Sequence, residues 1–483
     1  MTQSAVPANA KGRIVISVIT ALLIDLMAFT LILPLFPRLL NYYRQEEAGN
    51  KETLLGYALQ IMEHYKYLIS GHNEKAASHG DKWDTVFLGG LLGSLFSFLQ
   101  FIVSPIIGRA SDRFGRRKVL LYTMIGNLLS TGIWIFARSF TMFLVARIIA
   151  GLSEGNIQLS IAIISDITPA NQRSRSLALV GIAFAVAFTF GPGIGAWFAS
   201  IDLSKIFPTI TGIYPYSMPA IVALILLTFE TFYIYKKIPE TKVINSNGND
   251  DKSQHENVKT TENNVESIEK RISNLRRLKL IHGLHLFLFS GMEFTLVFLT
   301  FDVLDYSNMQ QGKLLGYMGI LSALLQGGYV RRQVPKLGEK MLVLQGMVAC
   351  IVGLSSLAMM ALSKAHAVTW LYFGVSCLAL TTGTVVNCLT GMASLQCQND
   401  NDDNEQEGSK KKNLHPLLEK GRALGEFRSF GQLGRALGPV SACGFYWLSG
   451  PAKCYGTGAI IMSIVTITTL LSVPSTRKVV KKE

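Results

Sequence analysis

The sequence predicts an all-α, polytopic membrane protein of twelve transmembrane helices in two pseudo-symmetric six-helix bundles. Three observations predict it. The 483 residues are 49% hydrophobic and only 16% charged, with a mean hydropathy of +0.32, whereas soluble domains average about 25% charged residues. Twelve apolar runs approach the roughly 18–25 residues that cross a bilayer. They fall at 14–36, 86–108, 119–137, 141–165, 176–199, 218–235, 280–301, 312–330, 341–362, 368–394, 424–447 and 455–473. A cationic turn then recurs once per half. Its full copy is GRASDRFGRR, Gly108 to Arg117, between spans 2 and 3; a degenerate copy follows span 8 in Gly328, Arg331, Arg332, Gly338, Glu339 and Lys340.

In chain order, residues 1–13 form a polar tail without a cleavable signal, so span 1 serves as the insertion signal. Asp25 lies eleven residues into that span, about 17 Å deep at about 1.5 Å per residue, near the middle of the hydrocarbon. The long outer loop at 38–85 contains LLGYALQIMEHYKYLI, whose apolar spacing predicts an amphipathic helix on the rim. Span 4 carries Arg147, Glu154 and Gln158, span 5 carries GPGIG from Gly191 to Gly195, and span 6 carries Glu230. Residues 14–241 make the N-terminal bundle. The charged segment 242–277 is too polar to form a core, and its second half, Val265 to Leu280, has the spacing of a helix lying on the membrane surface. The C-terminal bundle, 278–473, carries His282, His285 and Glu293 in span 7, Asn387 in span 10, and Arg435 in span 11. The Gly-Pro pair marks the repeat. Gly115 to Gly191-Pro192 is 76 residues and Gly338 to Gly438-Pro439 is 100; the excess of 24 matches a polar insertion at 396–420. A second tail follows at 474–483.

The net charge of +14 is a topology signal. Segments on the side of the termini hold 32 of the 46 Lys and Arg, against 11 on the other side, which predicts both termini in the cytoplasm, at the plasma membrane or an intracellular membrane. These cations border helices and face anionic lipid. No basic patch is interleaved with stacking aromatics outside the spans, which argues against nucleic acid. The six cysteines lie in the second half without metal-type spacing and read as helix-packing residues. His282 and His285 share a face but lack a third ligand, so an interfacial role is favoured over a metal. With no nucleotide loop, metal cluster or Ser-His-acid grouping, no cofactor and no enzyme activity are expected.

Several of these signatures together resemble the drug and proton antiporter branch of the major facilitator superfamily. They are GRASDRFGRR, the first helix ALLIDLMAFTLILPLFP, ARIIAG around Arg147 and Gly151, GPGIG, and Pro239-Glu240-Thr241. FLFSGMEFTLVFLT, MQQGKL and EFRSFGQLGRALGPV carry a narrower resemblance to an animal tetracycline-transporter-like group. The resemblance implies the major facilitator fold and export of small amphipathic organic molecules, organic anions or tetracycline-like drugs, in exchange for protons by a lipid-embedded monomer. It further implies that Arg147 helps organise proton transfer near span 1. The signature loop is a gate in which Gly108, Asp112, Arg113, Gly115 and Arg116 act with Asp166. Glu154 and Asn387 depart from the pattern, which has a basic residue and a proline there, and both are candidates to face the cavity.

The residues support such chemistry on their own terms. A bare carboxylate in hydrocarbon is costly, so Asp25 reads as a group that takes up and releases a proton; a helix-capping or permanently paired Asp is the structural alternative. Glu293, Glu230 and Glu154 are further intramembrane carboxylates, with Arg147 and Arg435 as counter-charges. Arginine does not deprotonate, so each must pair or attract an anion. The proton-coupling candidates are thus Asp25, Glu293, Glu230 and Arg147, and the substrate-binding candidates Arg435, Glu154, Gln158 and Asn387. Glu426 and Arg428 read as a surface pair. Gly191, Pro192 and Gly195, with Gly438 and Pro439, read as a helix-packing motif in which small residues allow close approach and proline kinks the helix. A receptor or scaffold on the same fold is the competing function; the intramembrane Asp25, Glu293 and Arg435 argue against it.

Overall fold

The computed structural model describes residues 8–32, 35–47, 52–70, 81–206, 213–241, 262–306, 308–397 and 415–473. The first part of the polar linker, most of the 396–420 insertion, the C-terminal tail and the first seven residues therefore lie outside the described residues. The twelve membrane helices are α1 (Ala8–Thr30), α2 (Asp81–Phe114), α3 (Arg116–Ile135), α4 in two pieces (Phe140–Ser153 and Asn156–Ile167), α5 (Ala170–Phe198) and α6 (Ser217–Lys237) in the first half. In the second half they are α7 (Glu262–Leu304), α8 (Asn308–Leu324, continued by a π-helical turn at Leu325–Val330 and by Arg331–Leu337), α9 (Glu339–Leu362), α10 (Ala367–Gln396), α11 (Lys420–Ser449) and α12 (Pro451–Ser472). Ten of these are long and apolar enough to cross a membrane by length and composition. The other two are α8, whose regular part is 17 residues, and α11, which carries Lys420, Arg422, Glu426, Arg428 and Arg435.

The buried face of a helix here mixes polar and apolar residues, while the outward face is apolar. On α3, Thr123, Asn127, Ser130 and Thr131 are buried together with Val119, Leu120, Met124 and Trp134, whereas Tyr122, Ile125 and Leu129 are exposed, Tyr122 at 72%. Apolar side chains face outward as lipid demands, and the polar ones are kept where helices meet. Close helix contacts use glycine at matching places in the two halves. A Cβ on Gly191 or Gly195 of α5 would collide with Thr30 or the Leu31 carbonyl of α1, and one on Gly438 of α11 would collide with the Phe287 carbonyl and Ser290 of α7. The repeated turn is equally well matched in backbone. Gly115 opens α3 with φ 101° and Gly338 opens α9 with φ 80°, left-handed values that only glycine adopts without strain.

Three elements differ from the sequence expectation. Span 1 stops at Thr30, and a separate helix, Phe36–Glu46, begins with a proline in its first turn. Span 4 is broken at Glu154-Gly155, where ψ of Glu154 is 94°. Helix α7 starts at Glu262 and runs unbroken for 43 residues, so the stretch read as a surface helix continues into the membrane span. His282 consequently lies twenty residues inside a helix instead of at its start; it is 4% exposed and His285 1%, which removes the interfacial reading.

The end of the molecule where α1 starts and α12 finishes is here the terminal end, and the opposite end the rim. At the rim, Phe36–Glu46 is held to the α3–α4 turn, since the Tyr43 hydroxyl donates to the Ala137 carbonyl at 2.8 Å and Glu47 accepts from the Phe140 amide at 2.8 Å. The second rim helix, Leu54–Ser70, belongs to the first half but docks on the second. Its Tyr65 hydroxyl donates to the Val440 carbonyl of α11 at 2.9 Å, and its ring stacks on Phe87 of α2, itself 5.3 Å from Trp447.

Candidate functional site

The break in α4 builds the first part of the site. Ser153, Gly155 and Asn156 are poor helix formers in sequence, and the neighbours reinforce the break. Gly155 is pressed against Thr123 and Ile107 so closely that a Cβ would lie 2.9 Å from the Thr123 methyl. Non-helical backbone at membrane depth is tolerated where it lines a polar cavity. Here the break aims Asn156 at α1: its amide donates to Asp25 Oδ1 at 2.7 Å, while its own oxygen accepts from Thr123 at 3.2 Å. Asp25, Glu154 and Glu230 are 4%, 8% and 1% exposed. One oxygen of Glu154 and one of Glu230 lack a hydrogen-bond partner.

Asp25, Arg147 and Glu154 line one cavity of about 60 Å³ inside the first bundle, with Asn127, Ser130, Thr131 and Phe96. Arg147 lies with its guanidinium 5.0 Å from the Phe96 ring centre. At roughly 10–15 Å³ per water this space takes a few waters, while drug-sized ligands occupy roughly 300–1,000 Å³. By size the cavity admits water and not a drug-sized ligand. Glu154, a substrate candidate from sequence, sits in it beside the proton candidates. Glu230 is one turn along α6 from Leu227, which also lines the cavity.

The second bundle holds its own charged group. Glu293 on α7 is half-buried and Arg435 on α11 is exposed. Arg435 lies within electrostatic range of Glu293 and of both histidines, and Arg428 within range of His282 as well. Both histidine Nδ1 atoms are buried without a partner, and His282 stacks on Phe427 at 4.2 Å. The reading of Glu426 and Arg428 as a pair is corrected. Glu426 binds Lys279 at 2.7 Å and Arg422 at 3.2 Å, whereas Arg428 points elsewhere, because residues two apart on a helix face about 200° apart.

At the terminal end the signature loop crosses between the bundles. Asp112 accepts from the amides of Gly421 and Arg422 at 3.0 and 2.6 Å, placing a carboxylate on the positive end of α11. Arg116, 2% exposed, binds Asp112 at 2.7 Å and Asp166 at 3.0 Å, and Lys420 reaches Asp166 at 3.3 Å. Gly108 lies against Gly421 with no room for a Cβ. Arg113, by contrast, is exposed over Phe114. A second seam joins α5 to α9 and α10: Arg173 donates to the Ser394 carbonyl at 3.0 Å and Ser174 to Glu339 at 2.6 Å.

The remaining candidates knit helices together. Gln158 donates to the Ser104 carbonyl of α2 at 3.2 Å. Asn387 donates to Gln326 in the π-turn of α8 at 3.3 Å, against Gly181 of α5. Sequence reasoning missed Asn156 and Lys420, and gave no site role to Arg428 or to Glu240, whose carboxylate accepts from the Arg116 and Arg117 amides at 2.7 and 3.1 Å and so caps α3. A polar residue beside Glu-Gly in an apolar span was the available signal for Asn156. Among the described residues no group of three or more His, Cys, Asp and Glu forms a metal site.

Comparison with known proteins accords with this architecture. A family model described as Major Facilitator Superfamily matches residues 18–402. The chain is 33% identical to mouse major facilitator superfamily domain-containing protein 10, over 93% of this chain and 90% of that one. It is 28% identical to the class B tetracycline resistance protein of Escherichia coli, over 64% and 70%. The crystal structure of the human organic anion transporter MFSD10 (TETRAN) superposes with a TM-score of 0.76 at 29% identity, covering 96% of this chain and all of that one.

Proposed function

We propose, for a chain that belongs to the Major Facilitator Superfamily and is a multi-pass membrane transporter and not an enzyme, proton-coupled export of small amphipathic organic molecules by alternating access. The observation that carries this reading is the set of carboxylates in the first bundle. Asp25 and Glu154, from different helices, meet at a helix break beside a cavity sized for water. Asp25 has Asn156 as its hydrogen-bond partner and no ion pair among the described residues. A permanently structural acid would be matched by a bound cation; one left with an amide and water is suited to exchange a proton.

In this reading Asp25 carries the transported proton, Glu154 and Glu230 hold it in transit, and Arg147 sets the field around them. Substrate is held in the second bundle, where Arg435 attracts an anion and Glu293 competes for it. Organic anions and tetracycline-like drugs are the substrate classes, since relatives bear those names. Asp112, Arg116, Asp166 and Lys420 close the terminal end, which the bias of basic residues sets in the cytoplasm, with Gly108 and Gly115 supplying close approach and bend. The protein works as a monomer in lipid.

The test is transport of a fluorescent organic anion by the purified full chain in proteoliposomes with an imposed pH gradient. Asp25→Asn is expected to abolish gradient-driven accumulation while leaving insertion intact. Accumulation with the wild-type pH dependence would remove Asp25 from the coupling machinery, and the absence of any flux in the wild type would favour a receptor.

A further inference from the structure

Arg428 is a charged group that enters the boundary between the bundles without a described bond. Its bearing follows from its neighbours on α11, which turn by about 100° per residue. Phe427 stacks on His282 of the second bundle, and Ser429 donates to the Phe101 carbonyl of the first at 2.6 Å. Arg428 lies between those two directions and opposite Glu426, which faces Lys279 and Arg422. Seven residues earlier on the same stripe, Gly421 abuts Gly108 of α2. The side chain is half-buried and makes no hydrogen bond or ion pair among the described residues.

Its charged surroundings come from both halves. Glu154 of α4 and Asp25 of α1 act on it from the first, sharing their cavity with Arg147 and lying within electrostatic range of Glu230. From the second come Arg435 on its own helix and His282 of α7, with His285 next to it. In its own half Glu426 is taken up by Lys279 and Arg422, so among the described residues the attraction that acts on Arg428 comes from Glu154 and Asp25 across the boundary. Arginine stays charged. What varies is the charge it faces.

We propose that Arg428 is the positioning residue through which the protonation of Asp25 and Glu154 reaches the boundary between the bundles. With the acids ionised, its guanidinium is drawn to the first half and holds α11 against it. With the acids protonated, that attraction is lost and the halves part. An equilibrium between two states moves only when an interaction differs between them, and this one exists only while the seam is closed. The inference rests on proton coupling at Asp25.

The experiment follows the opening itself, so no substrate is needed. Spin labels are placed at the exposed positions Lys118 and Arg276, on opposite halves, in a full-length chain whose native cysteines are replaced by serine, reconstituted in vesicles. The label separation is measured at mildly acidic and mildly alkaline pH. Coupling between linked sites is typically roughly 5- to 150-fold in the equilibrium, and Arg428→Gln is expected to reduce the pH-driven change to less than about twofold. Arg428→Lys, which keeps the charge, is expected to restore part of it. Glu426→Gln, on the other face, should leave it unchanged. A wild-type pH response in Arg428→Gln overturns the inference alone; a wild type whose label separation ignores pH removes the proton-coupled reading along with it.

Discussion

At the residue scale, the informative contrasts are between neighbours of like type and unlike bearing. Gly195 and Gly193 stand two apart in GPGIG. A Cβ at Gly195 would lie 2.1 Å from the Leu31 carbonyl, while one at Gly193 meets nothing within 4 Å. Gly195→Ala should therefore force α5 off α1 at a cost of about 1–3 kcal/mol, and Gly193→Ala should be neutral or slightly stabilising. Thermal unfolding in detergent distinguishes them; equal melting of the two variants would contradict the packing. Glu426 and Arg428 are the same lesson in charge. Identity was legible in the sequence, as was membrane depth for Asp25. Bearing was not, because it depends on which helix lies alongside, and no periodicity within α11 says that α2 is on one side and α7 on the other.

At the scale of elements, apolar length predicted where most helices cross, since burying backbone polar groups in lipid leaves few alternatives. The exceptions were interruptions. The α4 break was missed because its cause is tertiary: Thr123 and Ile107 crowd Gly155, and Asn156 is turned to Asp25. The cap of α3 was missed because Glu240 is over a hundred residues from the helix it completes. Carboxylate capping of two free amides satisfies groups a helix cannot satisfy itself. Glu240→Ala should cost about 0.5–2 kcal/mol and raise the hydrogen-exchange rates of the Arg116 and Arg117 amides. Unaltered protection at those two amides would mean that the cap is redundant.

For the whole molecule, the terminal end is crossed by contacts that belong to no single half: Asp112 on the start of α11, Lys420 on Asp166, Ser174 on Glu339. If these contacts exist in one state only, weakening them shifts the balance between states more than it changes any binding surface. Asp112→Asn is thus expected to lower the maximal transport rate by roughly 5-fold or more with a smaller change in KM. Proteoliposome kinetics report both, and an unchanged maximal rate would exclude Asp112 from the gate. The twofold design was readable from repeated Gly-Pro pairs and turns, but the partners across the seam were not, for they meet only after folding. Gly115 and Gly338 keep the same left-handed bend, yet the residue after it is Arg116 in one half and Glu339 in the other. That divergence gives one bend two jobs: Arg116 turns inward to Asp112 and Asp166 of its own half, while Glu339 reaches out to Ser174 of the other, so the same hinge geometry braces a bundle on one side and tethers its neighbour on the other.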